Sequence, residues 1–325
     1  MTTFRKTIVG AIAAGLIATS AYANDTKSIA ISTIVEVPAL IAARDGILAA
    51  LAERGYVEGE TLKVDYQNAN GSMPTQQQIA KKFVGNAPDV IVPITTPTAQ
   101  SMIGATSDIP IVFAMVTDPI GAQLITRYKQ PGANVTGVSD AAPIEPQLDL
   151  MREYIPDLKK IGFIYNPGLD NALATLATIK KHAEPRGFTI VESPSPTTNE
   201  VILATKKLIG EVDAIYVPND TTVVAALEAI IKIGEDVDLP VFVGETSAVE
   251  RGAIASIGFD YLAVGKVAGE MVADVLDGKA VGDIDAAIAY QISDRLIVAV
   301  NKGAAERMGV ATPDAALSRA TLITE

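Results

Sequence analysis

Residues 89–119, DVIVPITTPTAQSMIGATSDIPIVFAMVTDP, constrain this chain more than any other stretch. They read as strand, helix, strand. Val90–Pro93 is an apolar run short enough for a strand buried on both faces. Thr95-Thr96-Pro97 is a helix start, with a hydroxyl cap followed by proline at the first helical position. Ile111–Met115 is a second buried run, closed by Thr117-Asp118-Pro119. Two parallel strands joined by a crossover helix form a βαβ unit. In open sheets of this kind, ligands sit outside the carboxyl ends of the strands. Thr95, Thr96, Thr117 and Asp118 lie at such ends and bring hydroxyls, free helix N–H groups and a carboxylate to one rim. That mixture suits a small zwitterion or polyol. The same residue types also serve as ordinary caps and turns.

The alternation continues on both sides of this unit. Strands are expected over 29–35, 62–67 and 135–138, with helices over 38–54 and 75–84. A loop-like stretch, 140–146, follows. The pattern then restarts, with strands over 161–165, 189–192, 214–217, 241–243 and 253–257. Helices over 147–154, 173–186, 201–209, 221–234 and 261–276 are interleaved with them, and apolar runs follow at 288–292 and 296–300. Steady alternation of this kind predicts parallel sheets covered by helices on both faces. Two similar halves of about 110–130 residues result, each of ordinary domain size. The expected class is α/β: two doubly wound parallel-sheet lobes around a cleft, joined by hinge strands near 139–142 and 258–261. The expected first lobe comprises 24–140 with 260–285, and the second 141–259 with 286–325.

The chain begins with a secretory pattern. Arg5 and Lys6 precede an apolar stretch over 7–19, and Ala21-Tyr22-Ala23 is a small-x-small cleavage site. The apolar stretch is short for a membrane span, which argues against a retained anchor. Cleavage after Ala23 and residence in the periplasm are expected. A 325-residue chain without cysteine relies on its core rather than on disulfides, and 49% hydrophobic residues supply one. The net charge of −12 argues against nucleic acid as a partner.

The second half has polar strand ends of its own. Asn166-Pro167-Gly168 follows Tyr165, Asn219-Asp220-Thr221 follows Pro218, and Glu245-Thr246 follows Gly244. Recurrence in both halves points to a shared ligand cleft. The single histidine, His182, and the absence of cysteine argue against a zinc site or a Cys/His nucleophile. No glycine-rich phosphate loop follows a strand, so no cofactor is expected. Carboxylates are plentiful enough for a glycosidase pair, but the absence of tryptophan and an aromatic share of 5% weaken that reading.

The chain resembles the substrate-binding proteins of ABC importers, in the subfamily associated with tryptophan, tyrosine or phenylalanine uptake. The resemblance rests on Pro38-Ala-Leu40 with Arg44-Asp-Gly46, Val64-Asp-Tyr-Gln-Asn-Ala69, Ile79-Ala-Lys-Lys-Phe83 and Thr96-Pro-Thr-Ala-Gln100. It continues in Ile109-Pro-Ile-Val-Phe113, Val116-Thr-Asp-Pro119, Asn134-Val-Thr-Gly-Val-Ser-Asp140 and Ile161-Gly-Phe-Ile-Tyr-Asn-Pro-Gly168. Tyr216-Val-Pro-Asn-Asp220 and Gly258-Phe-Asp-Tyr261 complete it. It implies a type I periplasmic-binding, or Venus-flytrap, fold. The lobes would close on a small ligand and dock on a permease driven by an ATPase. It further implies no catalysis, and a monomer is the default expectation for a freely diffusing carrier. Val37, Ile41, Leu169 and Ala172 stand where the subfamily commonly has polar residues, which implies a more apolar pocket.

For an amino-acid ligand, the carboxylate would take Thr95 or Thr96 with the helix N–H groups, helped by Ser139. The ammonium would take Asp118, Asp220 or Glu245, since a buried charge needs a partner. Asn166 and Asn219 would complete the polar shell. Phe113, Tyr165 and Tyr261 would flank an aromatic or branched side chain, although strand aromatics also serve as core. A nucleoside, sugar or aromatic acid on the same fold, a cleft enzyme and a sensory ectodomain are the competing readings.

Overall fold

The computed structural model describes residues 26–293 and 296–324, so the expected leader and its cleavage site lie outside the described residues. The chain opens with β1 (Lys27–Thr33), α1 (Pro38–Glu53), β2 (Leu62–Asn68), α2 (Met73–Asn86) and β3 (Val90–Ile94). Then come α3 (Thr96–Ile103), β4 (Ile111–Ala114) and β5 (Val135–Ser139). These strands are parallel, in the order β5-β4-β3-β1-β2. β3, β4 and β5 are buried along their whole length, as continuous apolar runs require. Side-chain alternation splits the core between the two faces. Ile29 and Ile31 pack on one side with α1, while Ala30 and Ile91 face Phe83 and Met102 on the other. The register sets Thr33 beside Ile94, Ile94 beside Ala114 and Ala114 beside Val138. The carboxyl ends are therefore level and form one rim.

The second half runs through α4 (Ile144–Tyr154), β6 (Lys160–Tyr165), α5 (Asp170–Ala183), β7 (Thr189–Pro194), α6 (Val201–Lys206) and β8 (Ala214–Val217). It continues with α7 (Thr221–Val224), α8 (Leu227–Asp236), β9 (Val241–Val243) and β10 (Ala255–Gly258). Strands β7-β6-β8-β9 form a second parallel sheet. The expected single helix over 221–234 is two helices, with Ala226 off helical geometry at φ −116° and ψ 20° between them.

The chain then returns to the first sheet. α9 (Tyr261–Leu276) packs along α1, and β11 (Ala287–Ile288) pairs with β5 before α10 (Ala289–Ile292). The expected change of lobe between 285 and 286 is thus corrected, because β11 is a strand of the first sheet. Finally β12 (Ile297–Asn301), α11 (Lys302–Arg307), α12 (Asp314–Arg319) and β13 (Leu322–Thr324) join the second half. β12 pairs antiparallel with β10, an exception to the all-parallel expectation.

The α1–α9 contact is unusually close. A Cβ on Gly46 would lie 2.1 Å from the Leu262 carbonyl oxygen, and one on Gly265 would lie 2.1 Å from that of Ala43. Only glycine lets these backbones touch, and the touch brings the starts of both helices to the rim.

Candidate ligand site between the lobes

A cleft with about 450 Å³ of empty space, part of it open to solvent, lies where the rims of the two sheets meet. From the first lobe it takes Thr95 and Thr96 beyond β3, Met115 and Thr117 beyond β4, and Asp140 beyond β5. Val37, Ala39 and Leu40 at the start of α1, and Tyr261 at the start of α9, form one wall. The second lobe gives Asn171 in the first turn of α5, Asn219, Asp220 and Thr221 beyond β8, Val224, and Glu245 beyond β9.

The carboxylates are each held by a different local device. Asp220 caps α7, accepting from the Thr222 and Val223 amides at 2.9 and 3.3 Å and from the Asn166 amide at 2.6 Å. Glu245 caps a short 3-10 turn through the Ser247 amide, which leaves its Oε1 buried without a partner. Asp140 accepts from the Thr117 hydroxyl at 3.0 Å and from Asn219 Nδ2 at 3.4 Å. Burial raises the pKa of all three, against the pull of these hydrogen bonds, and brings Asp140 to about 6. Burial also raises the Tyr261 hydroxyl well above its ordinary value, with the Asp140 and Glu245 charges adding to it. No Lys, Arg or His lines the cavity. Its electrostatics therefore ask for a cation.

The amino end of α3 also lines the cavity. Thr96 is buried, and its hydroxyl has no partner. Asn171 Oδ1 and Asn219 Oδ1 are also buried and unpaired. The remaining walls, Val37, Ala39, Leu40, Met115 and Val224, are apolar. A molecule with a cationic end, an anionic end and an apolar body fits this set.

Direct bonds join the lobes around the cavity. Asn219 Nδ2 donates to the Tyr261 hydroxyl at 3.1 Å, and Gln100 Nε2 in α3 donates to Asp170 at the start of α5 at 2.6 Å. Gln147 braces the second lobe from behind. It accepts from the Tyr216 hydroxyl at 2.6 Å and donates to the carbonyls of Gly244 and Ile257 at 3.0 and 2.6 Å. These bonds fix the loop that carries Glu245.

Of the residues expected from the sequence, Thr95, Thr96, Asn219, Asp220, Glu245 and Tyr261 line this cavity. Four others do not. Asp118 lies in an adjoining depression, where its carboxylate accepts from the Gly121 amide at 2.9 Å and holds a turn. Ser139 is spent on the crossover turn, donating to the Thr117 carbonyl and accepting from the Ala141 amide. Asn166 supports Asp220 from outside the cavity and donates to Thr222 at 2.9 Å. Tyr165 packs beside Phe163 and bonds Glu192 at 2.8 Å. Phe113 is core. Among the positions of subfamily departure, Val37 lines the cavity and Ile41, Leu169 and Ala172 do not. Asp140 and Asn171 were missed. Asp140 follows β5 as Asp220 closely follows β8, so the strand-end rule was signal enough; Asn171 is a helix-face residue with no such signal.

Residues 28–323 match the family model for ABC transporter substrate binding proteins. The chain belongs to this family. The substrate-binding protein is 40% identical over 258 residues to the tyrosine-binding protein of Clostridioides difficile, covering 79% of this chain and 75% of that one. An ABC domain from Streptococcus pneumoniae in complex with L-Trp superposes with a TM-score of 0.87 at 32% identity, covering 92% of this chain and 99% of that one. A ligand-free, open structure of a Clostridium difficile substrate-binding protein with adhesive properties gives a TM-score of 0.69 at 36% identity, covering 92% and 99%. The match is better to the complex despite lower identity, in keeping with the bonds that close the two lobes here. The fold is that of a two-lobed type I periplasmic binding protein. Proteins of this family work outside the cytoplasm. Among the described residues, no helix is long and apolar enough to cross a membrane, and no cluster of His, Asp or Glu is placed to hold a metal ion.

Proposed function

We propose that this substrate-binding protein captures an aromatic or branched amino acid between its lobes and delivers it to a membrane permease driven by an ATPase. One observation carries the reading. Asp140, Asp220 and Glu245 are buried around a cavity that no basic side chain lines, and the same cavity is lined by a helix amino end whose Thr96 hydroxyl is unpaired. The carboxylates suit an ammonium group, and the helix end suits a carboxylate. The apolar wall suits the side chain. The tyrosine-binding relative and the L-Trp complex support the same class of ligand. The protein acts as a monomer in the periplasm after losing its leader, without turnover of the ligand.

Titration calorimetry of the chain from Asn24 onward tests this, after unfolding and refolding to remove carried ligand. Saturable one-to-one binding of Trp, Tyr, Phe or Leu is expected, with indole-3-propionate, which lacks the ammonium, bound at least about 100-fold more weakly. Chromatography of the bound compound should return it unchanged. Binding of a nucleoside or sugar in preference to every amino acid would refute the reading.

A further inference from the structure

Thr95 has φ 87° and ψ 156°. This region is populated almost only by glycine, and a β-branched residue there is strained. Met115, on the adjacent strand end, also has a positive φ of 55°. Both residues line the ligand cavity. The surroundings hold Thr95 in place. Its amide donates to the Ala114 carbonyl at 3.0 Å, its carbonyl accepts from the Ala99 amide at 3.0 Å, and its hydroxyl bonds that of Thr98 at 3.0 Å.

The strain has a geometric product. It turns the chain sharply from β3 into α3, so that the first turn of the helix faces the cavity. Proline at position 97 has no N–H, and the amides of Thr96 and Thr98 have no backbone partner. With the unpaired Thr96 hydroxyl, they form a set of donors at a positive helix end. A glycine at position 95 could adopt the same angles without strain, but it would let the turn relax and would lose the bond to Thr98.

We propose that Thr95 is a positioning residue, whose glycine-like backbone conformation, locked by Thr98, aims the donors of α3 at the carboxylate of the ligand. This rests on the reading of the cavity as an amino-acid site. Strain kept at this one residue weakens the fold and sharpens the recognition of an anion.

The test compares L-tryptophan with L-tryptophan amide, which keeps the ammonium and side chain and replaces the carboxylate by a neutral group. Wild-type protein should prefer tryptophan. Thr95→Gly should melt at a higher temperature without ligand, yet lose about tenfold of the preference for tryptophan over the amide. Thr98→Val, which removes the lock and leaves residue 95 unchanged, should lose preference in the same direction. A merely structural role would change affinity for both compounds alike. A preference kept within about twofold in both variants overturns the inference while leaving the amino-acid reading intact. Wild-type protein that binds no amino acid overturns both.

Discussion

At Asp140 two demands conflict. Burial disfavours its charge and raises its pKa from 3.8 to about 6, while an ammonium ligand requires the charge. The folded protein therefore binds more protons than the unfolded chain between these two values. This residue's contribution to stability falls as pH rises through that window and is fully lost above it. Ligand affinity runs the other way. Binding favours the ionised carboxylate, so affinity for tryptophan should rise between pH 5 and 7, with Asp140 contributing at most about tenfold per unit below its pKa. Glu245 and Asp220 face the same cavity with pKa values raised by burial and add to the effect, while Tyr261 stays neutral. Calorimetry at pH 6 in two buffers of different ionisation enthalpy should detect proton release on binding. Asp140→Asn should reduce that release and weaken binding by about tenfold or more. Affinity that is flat from pH 5 to 7.5 would mean that no carboxyl group with a raised pKa ionises when the ligand binds.

The strand ends made most of the site legible in the sequence, because apolar runs followed by Thr, Asn, Asp or Glu mark a rim whatever the lobes do. The helices gave less. α9 was readable from end to end, since Asp260 caps it through the Leu262 and Ala263 amides and Gly278 follows it. What α9 covers was less open to periodicity, because that depends on a backbone-to-backbone fit with α1. The break at Ala226 was equally hidden, as apolar residues continue on both sides of it. The α1–α9 fit is testable. Gly265→Ala places a methyl group against the Ala43 carbonyl and must part the helices, which should cost about 2–3 kcal/mol in urea unfolding. Affinity should fall too, because Leu40 and Tyr261 reach the cavity from the two helix starts. Gly85→Ala, in α2 with open space around it, should instead stabilise the protein by up to about 1 kcal/mol. Equal effects from the two changes would mean that the close contact does not hold the helices.

At the scale of the molecule, repeated strand ends revealed two lobes but not which ends meet. Asp118 and Asp140 look alike in sequence. Only the joining of the lobes puts Asp140 beside Asn219 and leaves Asp118 in the adjoining depression. The same joining makes the Gln100–Asp170 bond between α3 and α5, apart from the groups that line the cavity. Being exposed, it contributes no more than about 1 kcal/mol. It forms only when the lobes are together, so its weight falls on escape of the ligand rather than on capture. Gln100→Ala or Asp170→Ala should therefore speed dissociation of tryptophan by about two- to fivefold and leave association unchanged. The chain contains no tryptophan, so the indole emission of the ligand reports both rates directly in stopped flow. In parallel, tryptophan should shrink the radius of gyration of wild-type protein in small-angle scattering, as hinge closure requires. If dissociation stays at the wild-type rate while the radius still shrinks, the lobes close without this bond, and the contacts among Asp140, Asn219 and Tyr261 hold them shut.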